Sequence, residues 1–313
     1  MFFCMDFSRT RKNARIFRAM TGMTVSEFDL LVPVFEQVWG VYIREERRFL
    51  RHGTHTRKRA LWWGREGYLR TGSEKLFFIL FFLKVYPTCD LAGYTFGSSK
   101  SSAARWIQIL LPLLSKTLGR TLSLTKRQIS TPEEFFLAFP EAKELMIDGV
   151  ERPMVRRKKP KTQTKNYSGK KKWPRRKNTV IAEKNKRIGY ISPTKHGKIH
   201  DKKQLDKTTI IPHIPEEVPI FADSGFQWLR NHHRNSYLPT KNSKKHPLTK
   251  EQKEENHIIS SIRVVVENAI CWMKRFKTAS DIFRGRQWQD DTYMEVCAWL
   301  WNFHIQMKEC WIL

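Results

Sequence analysis

At Leu145 the spacing of apolar residues along this 313-residue chain changes, and that change decides what it can fold into. Before it, apolar side chains recur every three or four positions, as on one face of a helix. After it they gather into short runs: Leu145-Met-Ile, Asn178 to Ala182, Arg187 to Ser192, and Val218 to Ala222. Short runs bounded by turn residues are strand signals. The middle two predict a hairpin, with Asn185-Lys186 near its turn, and a helix is expected over Asp201 to Ile211. Helical spacing returns over Lys250 to Lys277, where Ile258, Ile259, Ile262, Val265, Val266, Ala269, Ile270, Met273 and Phe276 form the expected buried side. A Trp- and Met-rich last helix is expected near Asp291 to Lys308, packed against the rest. Strand, hairpin, helix, strand, helix predicts a mixed α/β layered domain.

The first half reads as helical. Thr24 to Val41 is one expected helix, with Thr24 and Glu27 as its capping box, and the basic stretch Arg44 to Arg70 as a loop or arm. Thr71-Gly-Ser-Glu74 is a second capping box, opening a helix that ends near Tyr86 because Pro87 disfavours helix before it. A short helix over Asp90 to Tyr94, a turn at Gly97 and a helix from Ser98 or Ser99 follow. The last of these is expected to bury Trp106, Ile109, Leu110, Leu113, Leu114 and Leu118 and to bend at Pro112. That order is a helix-turn-helix pattern, in which the start of the second helix meets DNA. Lys100, Ser101 and Arg105 hold those positions.

Lys and Arg number 58 against 30 Asp and Glu, a formal charge of +28. So large an excess repels itself unless a polyanion is the partner, and nucleic acid is the commonest one. The most apolar run, Leu76 to Leu83, is too short to span a bilayer, so no membrane partner is expected. Five scattered cysteines without a Cys-x-x-Cys pair indicate neither a disulfide framework nor a zinc ribbon, and point to a reduced intracellular compartment.

Two of the apolar runs end in an acid, Asp148 and Asp223, each with a glycine within two residues. Singly, an acid at a strand end is a turn or helix cap as readily as a metal ligand. Glu267 stands in the apolar stretch Ile262 to Phe276, at the edge of the expected core face. Buried acids are costly unless paired or metal-bound. Arg263 and Lys274 share its side of the helix, and an ordinary Arg263–Glu267 surface pair is the alternative.

Several stretches then converge: Met146-Ile-Asp-Gly-Val-Glu-Arg-Pro153, Tyr167-Ser-Gly-Lys-Lys-Lys172, His200-Asp-Lys202, Phe221-Ala-Asp-Ser-Gly-Phe226 and Arg263-Val-Val-Val-Glu267. In this order the chain resembles the DDE transposases of bacterial insertion sequences, in the branch related to Harbinger-type nucleases. Lys75 to Leu114 is similar to the helix-turn-helix unit found upstream in that family. The resemblance implies an RNase H-like catalytic fold carrying Asp148, Asp223 and Glu267 as catalytic metal ligands for Mg²⁺ or Mn²⁺, two ions being expected. It implies DNA transposition, by hydrolysis of transposon-end DNA and strand transfer to a target. The partners would be double-stranded DNA and further copies of the chain at synapsis, with a nucleoid-associated cytoplasmic location if the source is bacterial. Related enzymes carry Tyr-x₂-Arg-x₃-Glu-x₆-Lys around the last acid; here Ser260 stands in place of the tyrosine.

Glu151 to Lys177 holds 13 Lys or Arg against one acid, with Tyr167 and Trp173 interleaved. A charge run can be a solvated arm. Following directly on Asp148, this one also suits a DNA channel, with Lys170, Lys171 and Lys172 on phosphate and the aromatics on bases. Arg263 and Lys274 are expected to join them. His200 and Asp201 are possible accessory groups, Asp201 otherwise serving as a helix cap. The expected organisation is an arm over 1–70, the helix-turn-helix unit over 71–122, and the catalytic domain over 123–313 with a basic insertion at 151–177. Two other classes fit the charge: an inactive DNA-binding relative, and a basic RNA-binding protein.

Overall fold

The computed structural model describes residues 5–52, 68–121, 125, 129, 131–140, 142–156, 158, 160–169, 171–198, 210–242, 247–285 and 287–310. It divides into two compact units, Met1–Ser123 with Phe276–Thr278, and Leu124–Arg275 with Ala279–Leu313.

The first unit is helical: α1 (Phe7–Lys12), α2 (Ala14–Thr21), α3 (Val25–His52), α4 (Gly72–Val85), α5 (Cys89–Thr95) and α6 (Lys100–Arg120). Thr24 and Glu27 cap α3 reciprocally, and Thr71 with Glu74 caps α4 the same way. These are the two boxes visible in the sequence. The helix expected to stop at Val41 runs on to His52, so the first part of the supposed arm is helical; the rest, 53–67, lies outside the described residues. Helices α1 and α2 had no counterpart in the sequence reading, although Asp6 and Asn13 cap them.

Helix α4 is buried along Lys75–Leu83 and packs against α2, α3 and α6. Burial on every side explains why its apolar residues run without a polar face. Its one buried cation, Lys75, lies 5.0 Å from the Trp39 ring and 5.6 Å from Trp106. Its ammonium donates to the carbonyls of Leu69, Arg70 and Thr71. On α6 the buried residues include Ile107 and Leu111, while Trp106 and Ile109 are only half-buried, so the helix is rotated from the expected face. Between α5 and α6 the chain turns tightly: a Cβ on Gly93 would lie 2.8 Å from the Ser98 carbonyl, so only glycine fits there.

The second unit is built on a mixed sheet: β1 (Leu145–Pro153), β2 (Tyr167–Ser168), β3 (Trp173–Glu183), β4 (Ile188–Ile191), β5 (Lys195–His196), β6 (Ile220–Ala222) and β7 (Ser236–Tyr237). Its helices are α7 (Pro132–Ala138), α8 (Pro160–Asn166), α9 (Lys250–Met273) and α11 (Gln287–Cys310), and the residues of α10 (Lys277–Ser280) are divided between the two units. The sheet order is β2-β3-β1-β6-β7, with β4 and β5 also on β3. Strands β1, β3 and β4 are antiparallel, whereas β6 and β7 run parallel to β1. Three antiparallel strands extended by two parallel ones are the RNase H-like arrangement expected from the sequence. Helix α9 packs on β1, β3 and β6, and α11 packs on α9 and β4. Leu145, Ile147, Ile181, Tyr190, Phe135 and Phe139 belong to one apolar cluster, to which α7 contributes. Asn302 on α11 clamps the β4 edge, accepting from the Ile188 amide and donating to its carbonyl.

Three boundaries differ from expectation. Strand β3 begins at Trp173, not Asn178, so much of the supposed basic insertion is sheet. Its Arg176 and the Arg152 of β1 are buried and ion-paired to Asp290 at the start of α11. Helix α9 ends at Met273, and its Ile258 is 58% exposed rather than buried. The helix expected over Asp201 to Ile211 lies outside the described residues through 209, and Ile211–His213 forms a 3-10 turn.

Candidate active site

Two strands set the site. Parallel β1 and β6 pair as far as Ile147 opposite Ala222. Asp148 and Asp223 are the next residues on the two chains, just past that last pair. There the strands part: β1 continues to Pro153, while Asp223 caps the 3-10 turns of Ser224–Asn231. Asp148 is therefore inside a strand rather than at its end, but at the point where its neighbour leaves. Each acid accepts from the next residue's amide, Gly149 to Asp148 Oδ1 at 2.7 Å and Ser224 to Asp223 Oδ1 at 2.6 Å.

Helix α9 supplies the third carboxylate and a buried cation. Arg263 Nη2 lies 3.5 Å from Asp148 Oδ2 and 3.6 Å from Glu267 Oε1. With one atom touching both, the two carboxylate oxygens are no more than about 7 Å apart, end to end. Two oxygens so placed can flank a pair of ions about 3.5–4 Å apart, each bound at about 2.1 Å. Glu267 is 52% exposed at its side chain, so the buried member of the expected pair is the arginine, at 9%. The surface alternative for Arg263 and Glu267 is thus half right: the i,i+4 contact exists, but its cation belongs to Asp148 as well.

Burial pushes the Asp148 carboxyl above its usual range, against the pull of Arg263 and the Gly149 amide. Asp223 and Glu267 push it further up by their negative charge. Asp148 thus feels both of the other acids. Carboxylate oxygen alone, without sulfur or imidazole, is the donor chemistry of a hard divalent cation. In this conformation no three His, Cys, Asp or Glu side chains among the described residues already form a metal-holding group. Arg263 stands between two of the candidates.

A cleft of about 290 Å³ opens at Asp148 and Asp223, with Lys171 and Lys274 on its walls. Lys172 is exposed in the same turn as Lys171, with a left-handed backbone at φ 50°. Lys170, His200 and Asp201 lie outside the described residues. Glu151, Arg175, Lys177 and Asn178 also line the cleft and were not singled out from the sequence. Their signal was the alternation along β3, obscured because both of its faces carry polar residues there. In the helical unit, Ser101 and Arg105 are exposed on the first turns of α6, and Lys100 pairs with Asp90 at 3.0 Å.

A family model described as DDE superfamily endonuclease matches residues 147–302, a span containing all three acids. A probable transposase for insertion sequence element IS702 from Microchaete diplosiphon is 28% identical over 238 residues, covering 75% of this chain and 81% of that protein. No solved structure matches the chain.

Proposed function

We propose that the chain, which matches the DDE superfamily endonuclease family model through residues 147–302, is a transposase that cuts transposon-end DNA and joins it to a target. The observation that carries the proposal is the meeting of Asp148 and Asp223 at the parting of β1 and β6, with Glu267 brought to Asp148 through Arg263. Asp148, Asp223 and Glu267 would hold Mg²⁺ or Mn²⁺, in two positions. Bound there, the ions would stabilise charge on the attacking and leaving oxygens and favour deprotonation of water, then of a 3′-hydroxyl.

The chain's own residues perform the rest. The β1–β6 junction fixes one carboxylate in a strand and the other at the cap just past its neighbour's end, so positioning is supplied before substrate arrives. Asp148 is desolvated, which makes its negative charge expensive alone and favours a cation beside it. Arg263 neutralises it meanwhile, from a position too buried to approach a phosphate from outside. Lys171 and Lys274 stand at the cleft walls, where a scissile phosphate would need positive charge, and Lys172 lies next to them. Lys100, Ser101 and Arg105 would meet double-stranded DNA from the start of α6, in the manner of a helix-turn-helix. Two copies of the chain would hold the two ends at synapsis.

The test is a cleavage assay on the transposon's terminal DNA with Mg²⁺ or Mn²⁺. Wild type should cut, and Asp223→Asn should bind equally and cut at least about 10³-fold more slowly, as expected when a group acting in the transition state is lost. Binding without cutting by wild type in either metal would leave a DNA-binding relative instead. Preference for RNA would point to the RNA-binding class.

A further inference from the structure

We propose that Arg263 is a displaceable counter-cation: its guanidinium gathers Asp148 and Glu267 before metal binds, and must release Asp148 for a divalent cation to take that carboxylate. This rests on the metal-dependent reaction proposed above and adds how its site is filled.

Three arginines are buried among the described residues, Arg152, Arg176 and Arg263. They are held in two different ways. Arg176 donates from Nε to Asp290 at 2.7 Å, and Arg152 pairs with the same carboxylate while lying against the Phe283 ring. Arg263 Nη2 stands 3.5 Å from Asp148 and 3.6 Å from Glu267. Both contacts are longer than the roughly 2.7–2.9 Å of a charge-assisted hydrogen bond. Arg263 Nε is buried with no hydrogen-bond partner. An unsatisfied buried donor is costly, so nothing around this guanidinium fits it as Asp290 fits Arg176. Charge holds Arg263 in place, and geometry does not.

Its position on α9 suits release. Arg263 precedes Glu267 by four residues, the order that supports a helix less than the reverse one. Glu267 is half exposed, whereas Val266, Ala269, Ile270 and Met273 form the buried side of the helix. The arginine and Glu267 can therefore part by turning side chains, with the helix left where it packs. A helical side chain leans towards the helix start, and Ser260, one turn earlier, is small and exposed. The guanidinium has somewhere to go.

Electrostatics supplies the exchange. Asp148 and Asp223 stand at the parting of β1 and β6, and Glu267 is drawn to Asp148 through Arg263. Without a cation between them these acids would repel. Arg263 and a divalent cation would claim the same oxygens, and like charges that close disfavour each other. Arg263 thus keeps two carboxylates gathered while weakening the hold of the site on metal.

The experiment uses the full chain without DNA, counting free Mn²⁺ by its paramagnetic resonance spectrum. Arg263→Gln should bind Mn²⁺ roughly 10- to 100-fold more tightly than wild type, the gain expected if the arginine leaves about 1–10% of molecules open to metal. A role in folding alone would leave binding unchanged or weaken it, so the direction decides. Circular dichroism checks that the variant folds. A second measurement reads wild type itself, labelled with ¹⁵N-arginine. Mg²⁺ should move the Arg263 guanidinium resonance, assigned by its absence from Arg263→Lys, from a paired to a solvent-exposed position with the midpoint of Mg²⁺ binding. Unchanged or weaker Mn²⁺ binding by a folded Arg263→Gln would overturn the competition. A resonance that stays paired while Mg²⁺ binds would overturn the displacement, whatever the affinities. Failure of wild type to bind either ion would instead overturn the metal reading of the three acids, and this inference with it.

Discussion

Asp148 carries the conflict on which the site depends. Its carboxyl is raised mainly by burial and further by Asp223 and Glu267, while Arg263 and the Gly149 amide oppose the shift. A carboxyl whose folded pKa exceeds its unfolded one contributes stability below the unfolded value, and loses it as pH rises through the folded one. At neutral pH the raised carboxyl of Asp148 therefore costs stability in the metal-free chain. Asp148→Asn should melt no lower than wild type at pH 7, with Arg263 still paired to Glu267. The gain over wild type should shrink as pH falls through the raised Asp148 pKa and vanish below the ordinary carboxylate range, where both side chains are neutral. A difference of about 1 kcal/mol would appear as about 2–4 °C at this chain size. Mg²⁺ or Mn²⁺ should raise the melting temperature of wild type and not of the variant, because a ligand stabilises only the state it binds. Thermal melts across pH, with and without metal, read all of this. A clear drop for Asp148→Asn at pH 7 would show that pairing with Arg263, and not desolvation, dominates.

Among the secondary-structure elements, the ones legible in the sequence were those marked by local chemistry. Thr24, Thr71 and Ser99 announced their helices because a capping hydroxyl and its amide are three residues apart. The apolar runs before Asp148 and Asp223 announced β1 and β6 for a similar reason. What stayed hidden depended on partners far along the chain. Asp290 accepts from Arg176 Nε at 2.7 Å and pairs with Arg152, and nothing local in a run of thirteen cations tells these two from their exposed neighbours. The buried Arg152 guanidinium also lies 4.4 Å from the Phe283 ring, which seats it against an aromatic face. The trio ties β1, β3 and α11 together. Asp290→Ala leaves two buried cations without their anion, and breaking such a pair costs about 3–5 kcal/mol. We expect a loss of that order in urea unfolding, large enough to compromise folding of the domain. A loss under about 1 kcal/mol would mean that the charges are relieved by water or by other partners. Glu267 shows the opposite limit: its helix was legible, but which of its residues turned inward was not, and burial fell to Arg263.

At the scale of the molecule, a charge of +28 says that a polyanion is near, but not which cations touch it. The structure sorts them. Arg152 and Arg176 are consumed by Asp290, and Arg263 by two carboxylates. Lys171 and Lys274 face the cleft, Lys172 is exposed beside it, and Ser101 and Arg105 are exposed on α6. Phosphate contacts release counterions, so the logarithm of affinity falls with the logarithm of salt at about 0.9 per contact on B-form DNA. If these exposed cations work and the buried ones do not, Lys171→Ala, Lys274→Ala and Arg105→Ala should each lower that slope by about one and weaken binding to all sequences alike. Asp90→Asn should act in the other direction, because Lys100 would no longer be shared with a carboxylate 3.0 Å away. Titrating terminal and unrelated duplexes across salt concentrations separates these effects. A slope left unchanged by all three alanine variants would move the interface elsewhere on the surface. A change confined to the terminal sequence would instead make the residue a reader of bases, since phosphate contacts carry no sequence information.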